Sequence, residues 1–173
     1  MTVSVRAATS ADIPRMHEIE DSAGELFEGW DLIALDMMAL VAISDHLTAI
    51  EEGLSFIAEV DGRAAGFIMG EMRGKDAYLH ELDVDTAYQQ RGAGAALMKA
   101  FIAAGRRRGA QAIYLSTFRD PPWNAPFYRK LGFVDVPRTN YLPWMSEMEA
   151  EQATFLDINT RVFMRLELGR ASR

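Results

Sequence analysis

The 173-residue sequence predicts a single α/β domain over 1–173, with a mixed, largely antiparallel, twisted sheet flanked by helices. Three observations carry that expectation. Asp61-Gly62 stands between two apolar runs, a good short-range hairpin signal. A strand-like stretch, Tyr78 to Val84, runs into a glycine-containing turn and then a long amphipathic helix. The apolar run Ala112 to Ser116 then has the length of a buried strand. No repeat, low-complexity tract or linker divides the chain.

Taken in order, Val3 to Arg6 reads as a first strand. Thr9-Ser10-Ala11-Asp12 is a helix-start signal with Pro14 in the tolerated first turn. Ile13, Met16, Ile19 and Glu20 follow at helical spacing, the first three as the apolar stripe. A break at Ala23 to Trp30 precedes a second helical region, with Leu32 to Ile43 apolar and Ser44 a candidate cap for Asp45 to Glu52. Ser55 to Val60 and Ala64 to Met72 form the hairpin. Tyr78 to Val84 adds a third strand, with Tyr78, His80, Leu82 and Val84 expected on one face and Leu79, Glu81 and Asp83 on the other. The helix from Gly92 to Arg108 turns Leu97, Met98, Phe101 and Ile102 inward and ends on Arg106-Arg107-Arg108, where cations suit a helix C-terminus. After Ala112 to Ser116 come a short helix, Ala125 to Leu131, and a strand, Phe133 to Val136. Ser146 and Glu149 have capping-box spacing ahead of a helix reaching Phe155, and Arg161 to Leu168 alternates as a last strand.

Composition excludes several classes. With no cysteine, disulfides, thiolate metal sites and a cysteine nucleophile are ruled out. No apolar run approaches the roughly 18 residues of a membrane span, and no signal-peptide pattern opens the sequence, so a cytoplasmic location is expected. The net charge of −7 is uneven: residues 1–60 hold 2 bases and 12 acids, a balance of −10, leaving +3 for the remainder. Such an acidic N-terminal third is a poor nucleic-acid surface and a plausible attractor of cationic small molecules.

The turn Gln89-Gln90-Arg91-Gly92-Ala93-Gly94 offers backbone N–H groups at a helix N-terminus, where they lack intrahelical partners and meet the positive end of the dipole. That arrangement suits a phosphate or pyrophosphate. The third glycine and distal acid of a dinucleotide-binding turn are absent, as is the Gly-Lys-Ser/Thr of a P-loop.

Gln89-x-x-Gly92-x-Gly94, together with Phe127-Tyr-Arg-Lys-Leu-Gly-Phe133 downstream and the order of elements, resembles the GNAT (GCN5-related) N-acetyltransferases. The resemblance implies a GNAT-like fold, acetyl-CoA as cosubstrate, no metal, and acyltransferase activity. It implies that Leu82, Asp83 and Val84 pair with the pantetheine arm, and that Gln89, Gln90, Arg91, Gly92, Ala93, Gly94 and Ala95 hold the pyrophosphate. Tyr128 stands at the position of the family's general acid. Glu81 and His80 compete for the base that takes the amine proton. Asn124 replaces an asparagine the family often has three residues earlier, where Pro121 stands here; it either contacts the cofactor or caps the short helix. With no cysteine, transfer is expected to be direct, to a primary amine of a cationic small molecule. Phe27, Trp30, His80 and Glu81 are the candidate acceptor contacts, with Asp31, Tyr141, Leu142, Trp144 and Met145 near the variable parts of the fold. A non-catalytic acetyl-CoA-binding regulatory module, a protein-amine acetyltransferase and a homodimer remain alternatives on sequence grounds.

Overall fold

A computed structural model describes residues 1–32 and 39–169. Seven strands form one sheet in the order β1-β2-β3-β4-β5-β7-β6. They are β1 (Val3–Ala7), β2 (Ser55–Val60), β3 (Arg63–Arg73), β4 (Asp76–Val84), β5 (Ala112–Phe118), β6 (Val134–Asp135) and β7 (Arg161–Glu167). Only β4 and β5 are parallel; all other pairs are antiparallel. The helices among the described residues are α1 (Ile13–Gly24), α2 (Ile43–Glu51), α3 (Ala93–Arg107), α4 (Ala125–Lys130) and α5 (Pro143–Gln152).

Each face of the sheet has its own apolar cover. Leu97, Met98 and Phe101 of α3 pack with Leu79, Ile113 and Leu115 on one side. On the other, Ile13, Met16 and Ile19 of α1 meet Ile57, Phe67 and Met69, the stripe the helical spacing predicts. Met145 of α5 completes that side over Tyr78, Tyr114 and Phe163. The Asp61-Gly62 hairpin forms as predicted, with both residues at positive φ (50° and 77°).

Several local expectations are corrected. Ser44 is not a cap: α2 starts at Ile43 with Ala42 at its N-cap, so Ser44 lies inside the first turn. The expected helix over Leu32 to Ile43 lies mostly outside the described residues, and Ala39 to Ala42 are not helical. Leu142 is the N-cap of α5, which begins at Pro143, so Ser146 falls within the helix. The Pro at its first position is preorganised for a helix start, a stronger local signal than the serine.

The correction that matters most is in β4. Across the pair with β3, Met69 faces Glu81 while Gly70 faces Leu79, so His80 is an extra residue in a bulge. The alternation therefore changes phase. Leu79, Leu82 and Val84 all join the α3 side, whereas Glu81, opposite Met69, turns with Asp83 toward α1. Gly70 permits the tight approach: a Cβ there would lie 2.2 Å from the Tyr78 carbonyl oxygen and 2.6 Å from Phe101.

Candidate active site

The parallel ladder between β4 and β5 is short. It contains Ala77↔Ile113 and Tyr78↔Tyr114 and then stops, although both strands run on. Past Tyr78 the β5-facing backbone edge of β4 has no strand partner, and the divergence opens a cleft. This is a place where an extended chain can pair with N–H and C=O groups. Leu82, Asp83 and Val84 lie on this stretch.

At the end of β4 the chain makes a short 3₁₀ turn, Thr86–Tyr88, and then enters the loop before α3. The Gln89 side-chain amide donates to the Val84 carbonyl at 2.6 Å, fastening the loop to the strand end. Gln90 and Gly92 take positive φ, 58° and 85°, and Gly92 is the N-cap of α3. The first backbone hydrogen bond of the helix runs from Ala96 to the Gly92 carbonyl at 3.0 Å. The N–H groups of Ala93, Gly94 and Ala95 thus belong to the unpaired first turn. The two glycines are not equivalent. Gly92 needs its left-handed backbone, while a Cβ on Gly94 would meet Phe127 at an ordinary 3.5 Å. The Arg91 guanidinium stacks over Tyr88, 5.5 Å from the ring centre. Arg106 is engaged elsewhere, with Nε donating to the Leu168 carbonyl at 3.4 Å. These residues fit an anionic, extended cofactor: a strand edge without a partner leads to a helix N-terminus with free donors.

The other wall comes from α1. Arg15 donates to the Ala64 carbonyl and to Asp85 (3.0 and 2.6 Å), while Ser22 Oγ reaches Asp85 at 3.2 Å and accepts from the Thr86 N–H at 3.1 Å. These bonds pin α1 to the end of β4 and set Glu20 above Glu81 and Asp83. The resulting cleft has a volume of about 290 Å³ and is lined by Glu20, Phe27, Glu81, Asp83, Phe118 and Arg161, among others. Burial, then the charge of Glu20, pushes Glu81 up to about 7, against a hydrogen bond with Asp83 and the charge of Arg161; burial, then the charges of Glu81 and Glu20, raises Asp83 well above the usual carboxylate range. Glu20 is raised by the same desolvation, against the Val41 N–H, which donates to both its oxygens at 3.0 and 3.1 Å. Behind it, ring nitrogens of His17 and His46 come within 4.8 Å of its carboxylate. Burial and the neighbouring His17 hold His46 down at about 4, so that ring is neutral.

Tyr128 is buried on α4 between Phe127 and Phe133, with ring centres 5.3 and 5.6 Å away. Burial, reinforced by the nearby charges of Glu81 and Asp83, holds its phenol far above the usual value, so it is a neutral donor; it sits in the core beside the cleft and not among the cleft's lining residues. Asn124 does not cap α4 with its side chain. Its carbonyl accepts from Phe127 and Tyr128 (2.9 and 3.2 Å), and its Oδ1 is buried without a partner. That unpaired oxygen leaves the cofactor-contact alternative standing and removes the capping one.

His80 is placed apart from this group. The bulge turns it onto Tyr78, edge-on at 4.9 Å, with Nε2 3.3 Å from Glu71. Phe27 lines the cleft and packs on Phe118 and Trp123, each at 5.5 Å. Trp30 packs edge-on against Trp123 at 5.7 Å and is 36 % exposed. Tyr141, Leu142 and Trp144 pack with Met145 beneath Tyr78 and Phe163, away from the cleft. Glu20 and Arg161 are the charged cleft residues that sequence reasoning did not select. Glu20 had a visible signal, an acid beside the apolar stripe of α1; Arg161 had none beyond opening a strand.

The sequence model described as the acetyltransferase (GNAT) family matches residues 16–133. Among solved structures, Ard1 from Thermoplasma volcanium is similar at a TM-score of 0.69 and 20 % identity, over 96 % of this chain and 98 % of that one. The ribosomal-protein-S18-alanine N-acetyltransferase from Escherichia coli gives 0.68 and 20 %, over 99 % and 97 %. N-acetylglutamate synthase from Neisseria gonorrhoeae, solved with coenzyme A and N-acetylglutamate, gives 0.71 and 18 %, over 98 % of this chain and 36 % of that one. Among the described residues no helix is long and apolar enough to cross a membrane. From the match over residues 16–133 and the fold shared along nearly the whole length, the chain belongs to the acetyltransferase (GNAT) family, acyltransferases whose donor is acetyl-CoA.

Proposed function

We propose that this acetyltransferase moves an acetyl group directly from acetyl-CoA to a primary amine of a small molecule held in the cleft between α1 and β4. One observation carries the reading. At the free edge of β4, Glu81 has a proton affinity close to neutral pH, and the Tyr128 phenol, near enough to feel its charge, stays protonated. A base near pH 7 and a neutral acid close to it are what amine acylation needs.

Acetyl-CoA supplies an acetyl group activated as a thioester. The N–H groups of residues 89–95 hold its phosphates, and the edge at Leu82 to Val84 aligns its arm and offers donors for negative charge on the carbonyl oxygen. Asn124 Oδ1 is a further acceptor for the arm. As the carbon–nitrogen bond forms and the carbon–sulfur bond breaks, the amine proton passes to the Glu81 carboxylate. Tyr128 returns a proton to the departing sulfur. Burial and the charge of Glu20 keep Glu81 basic enough to act, and Glu20 helps draw in an ammonium, which must shed a proton before attack. This route needs no metal, and the absence of cysteine leaves no thiol to carry the acetyl group.

The small volume of the acid-lined cleft, about 290 Å³, favours a small acceptor over a protein one. The test is a panel of primary amines scored by thiol release from acetyl-CoA, in which a cysteine-free protein adds no background. Amine-dependent release with at least one small amine is expected. Tight acetyl-CoA binding without release across the whole panel would instead support a binding module.

A further inference from the structure

This inference rests on the acetyl-transfer reading and concerns the acceptor. Arg161 is the one cation among the described lining residues of the cleft, whose other charged lining is Glu20, Glu81 and Asp83. It opens β7 and faces Phe118 across the ladder, with its guanidinium carbon 4.5 Å from the ring centre. Nη2 donates to Ser116 Oγ at 3.0 Å. Nε is sealed from solvent without a partner, and no carboxylate among the described residues comes within ion-pair distance. Ser116 itself is shared with the Gln152 side chain at 3.3 Å. A guanidinium kept in a cleft with one neutral acceptor is poorly compensated, and its planar fork is suited to a carboxylate bound through two parallel bonds.

Arg161 also stands close enough to Glu81 for each to feel the other's charge. The cleft is thus lined by three acids and one cation together with apolar walls from Phe27, Phe118, Phe155 and Leu156. A polyamine would bring a second ammonium against Arg161. A simple alkylamine would leave the guanidinium uncompensated and desolvated. We infer that the acceptor is an amino acid, its amine delivered to Glu81 and its carboxylate bound by Arg161, with an apolar spacer or side chain against the aromatic walls.

The experiment compares matched acceptors by coenzyme A release at saturating acetyl-CoA: phenylalanine with phenethylamine, leucine with isopentylamine, and 5-aminopentanoate with pentylamine. In the native protein at least one amino acid is expected to exceed its matched amine in kcat/KM by about tenfold to a hundredfold, the range for a charge-assisted pair. Arg161→Gln should bring that ratio close to one, chiefly through KM for the amino acid, with acetyl-CoA affinity measured as the control for folding. Equal rates for the matched pairs in the native protein, or a preference that survives Arg161→Gln, overturn the inference. If the variant fails to fold, the native comparison decides alone. Release with the amines but not the amino acids removes only this inference, whereas no release with any acceptor removes the transfer reading itself.

Discussion

Tyr128→Phe is expected to lower kcat by about 100-fold or more while leaving the affinity for acetyl-CoA nearly unchanged, the size usual for loss of a positioned acid. The ring sits between Phe127 and Phe133 and is retained by the substitution, so packing survives. The hydroxyl, held neutral by burial and by the nearby acids, is what disappears. The split between kcat and binding separates this role from a packing one. A purely structural tyrosine would change stability and leave kcat alone. Measurement of kcat with a fast acceptor, beside acetyl-CoA affinity by calorimetry, distinguishes them.

The second large effect is on cofactor binding. Gly92→Val should weaken acetyl-CoA by at least about tenfold, because an L-residue forced into the left-handed region costs roughly 1–2 kcal/mol and turns the loop N–H groups away. A Cβ at Gly92 meets nothing within 4 Å, so the protein itself has room for the side chain and the effect falls on backbone conformation. Unchanged far-ultraviolet dichroism with lost affinity is the expected pair of results. Retained affinity would remove the loop from the binding site. Gly94→Ala is the internal contrast: ordinary contact with Phe127 leaves space for the methyl group.

These effects depend on features of unequal visibility in the sequence. The strand–turn–helix from Tyr78 to Leu97 was legible because its signals are local: a glycine demanding positive φ, a helix beginning, and apolar positions three and four apart. The hairpin at Asp61-Gly62 was legible for the same reason. The bulge at His80 was not, because it is fixed by the pairing of β3 with β4, where Gly70 lets Tyr78 and Phe101 approach. A strict period of two put Tyr78 with His80 and Leu79 with Glu81. The bulge parts Leu79 from Glu81, sending Glu81 into the cleft, and leaves His80 against Tyr78 and Glu71. Glu20 and Arg161 lie 61 residues before and 80 residues after Glu81 in the sequence, and it is the packing of α1 on the end of β4 and the β5–β7 ladder that bring them together. Ser44 and Ser146 misled because cap signals are cheap, and an adjacent alternative start, such as Pro143, can win.

The central claim is that the β4 carboxylate in this cleft takes the amine proton. Glu81→Gln, with the pH dependence of kcat/KM, tests it most directly. A base must be ionised to act, and burial with the charge of Glu20 places Glu81 at about 7, so activity in the native protein should rise with pH through that value. The rise should stay in place when acceptors of different basicity are used, which separates it from ionisation of the amine. In Glu81→Gln the limb near pH 7 should vanish and the plateau should fall by about 100-fold or more. A variant that keeps both the plateau and the limb would contradict the account.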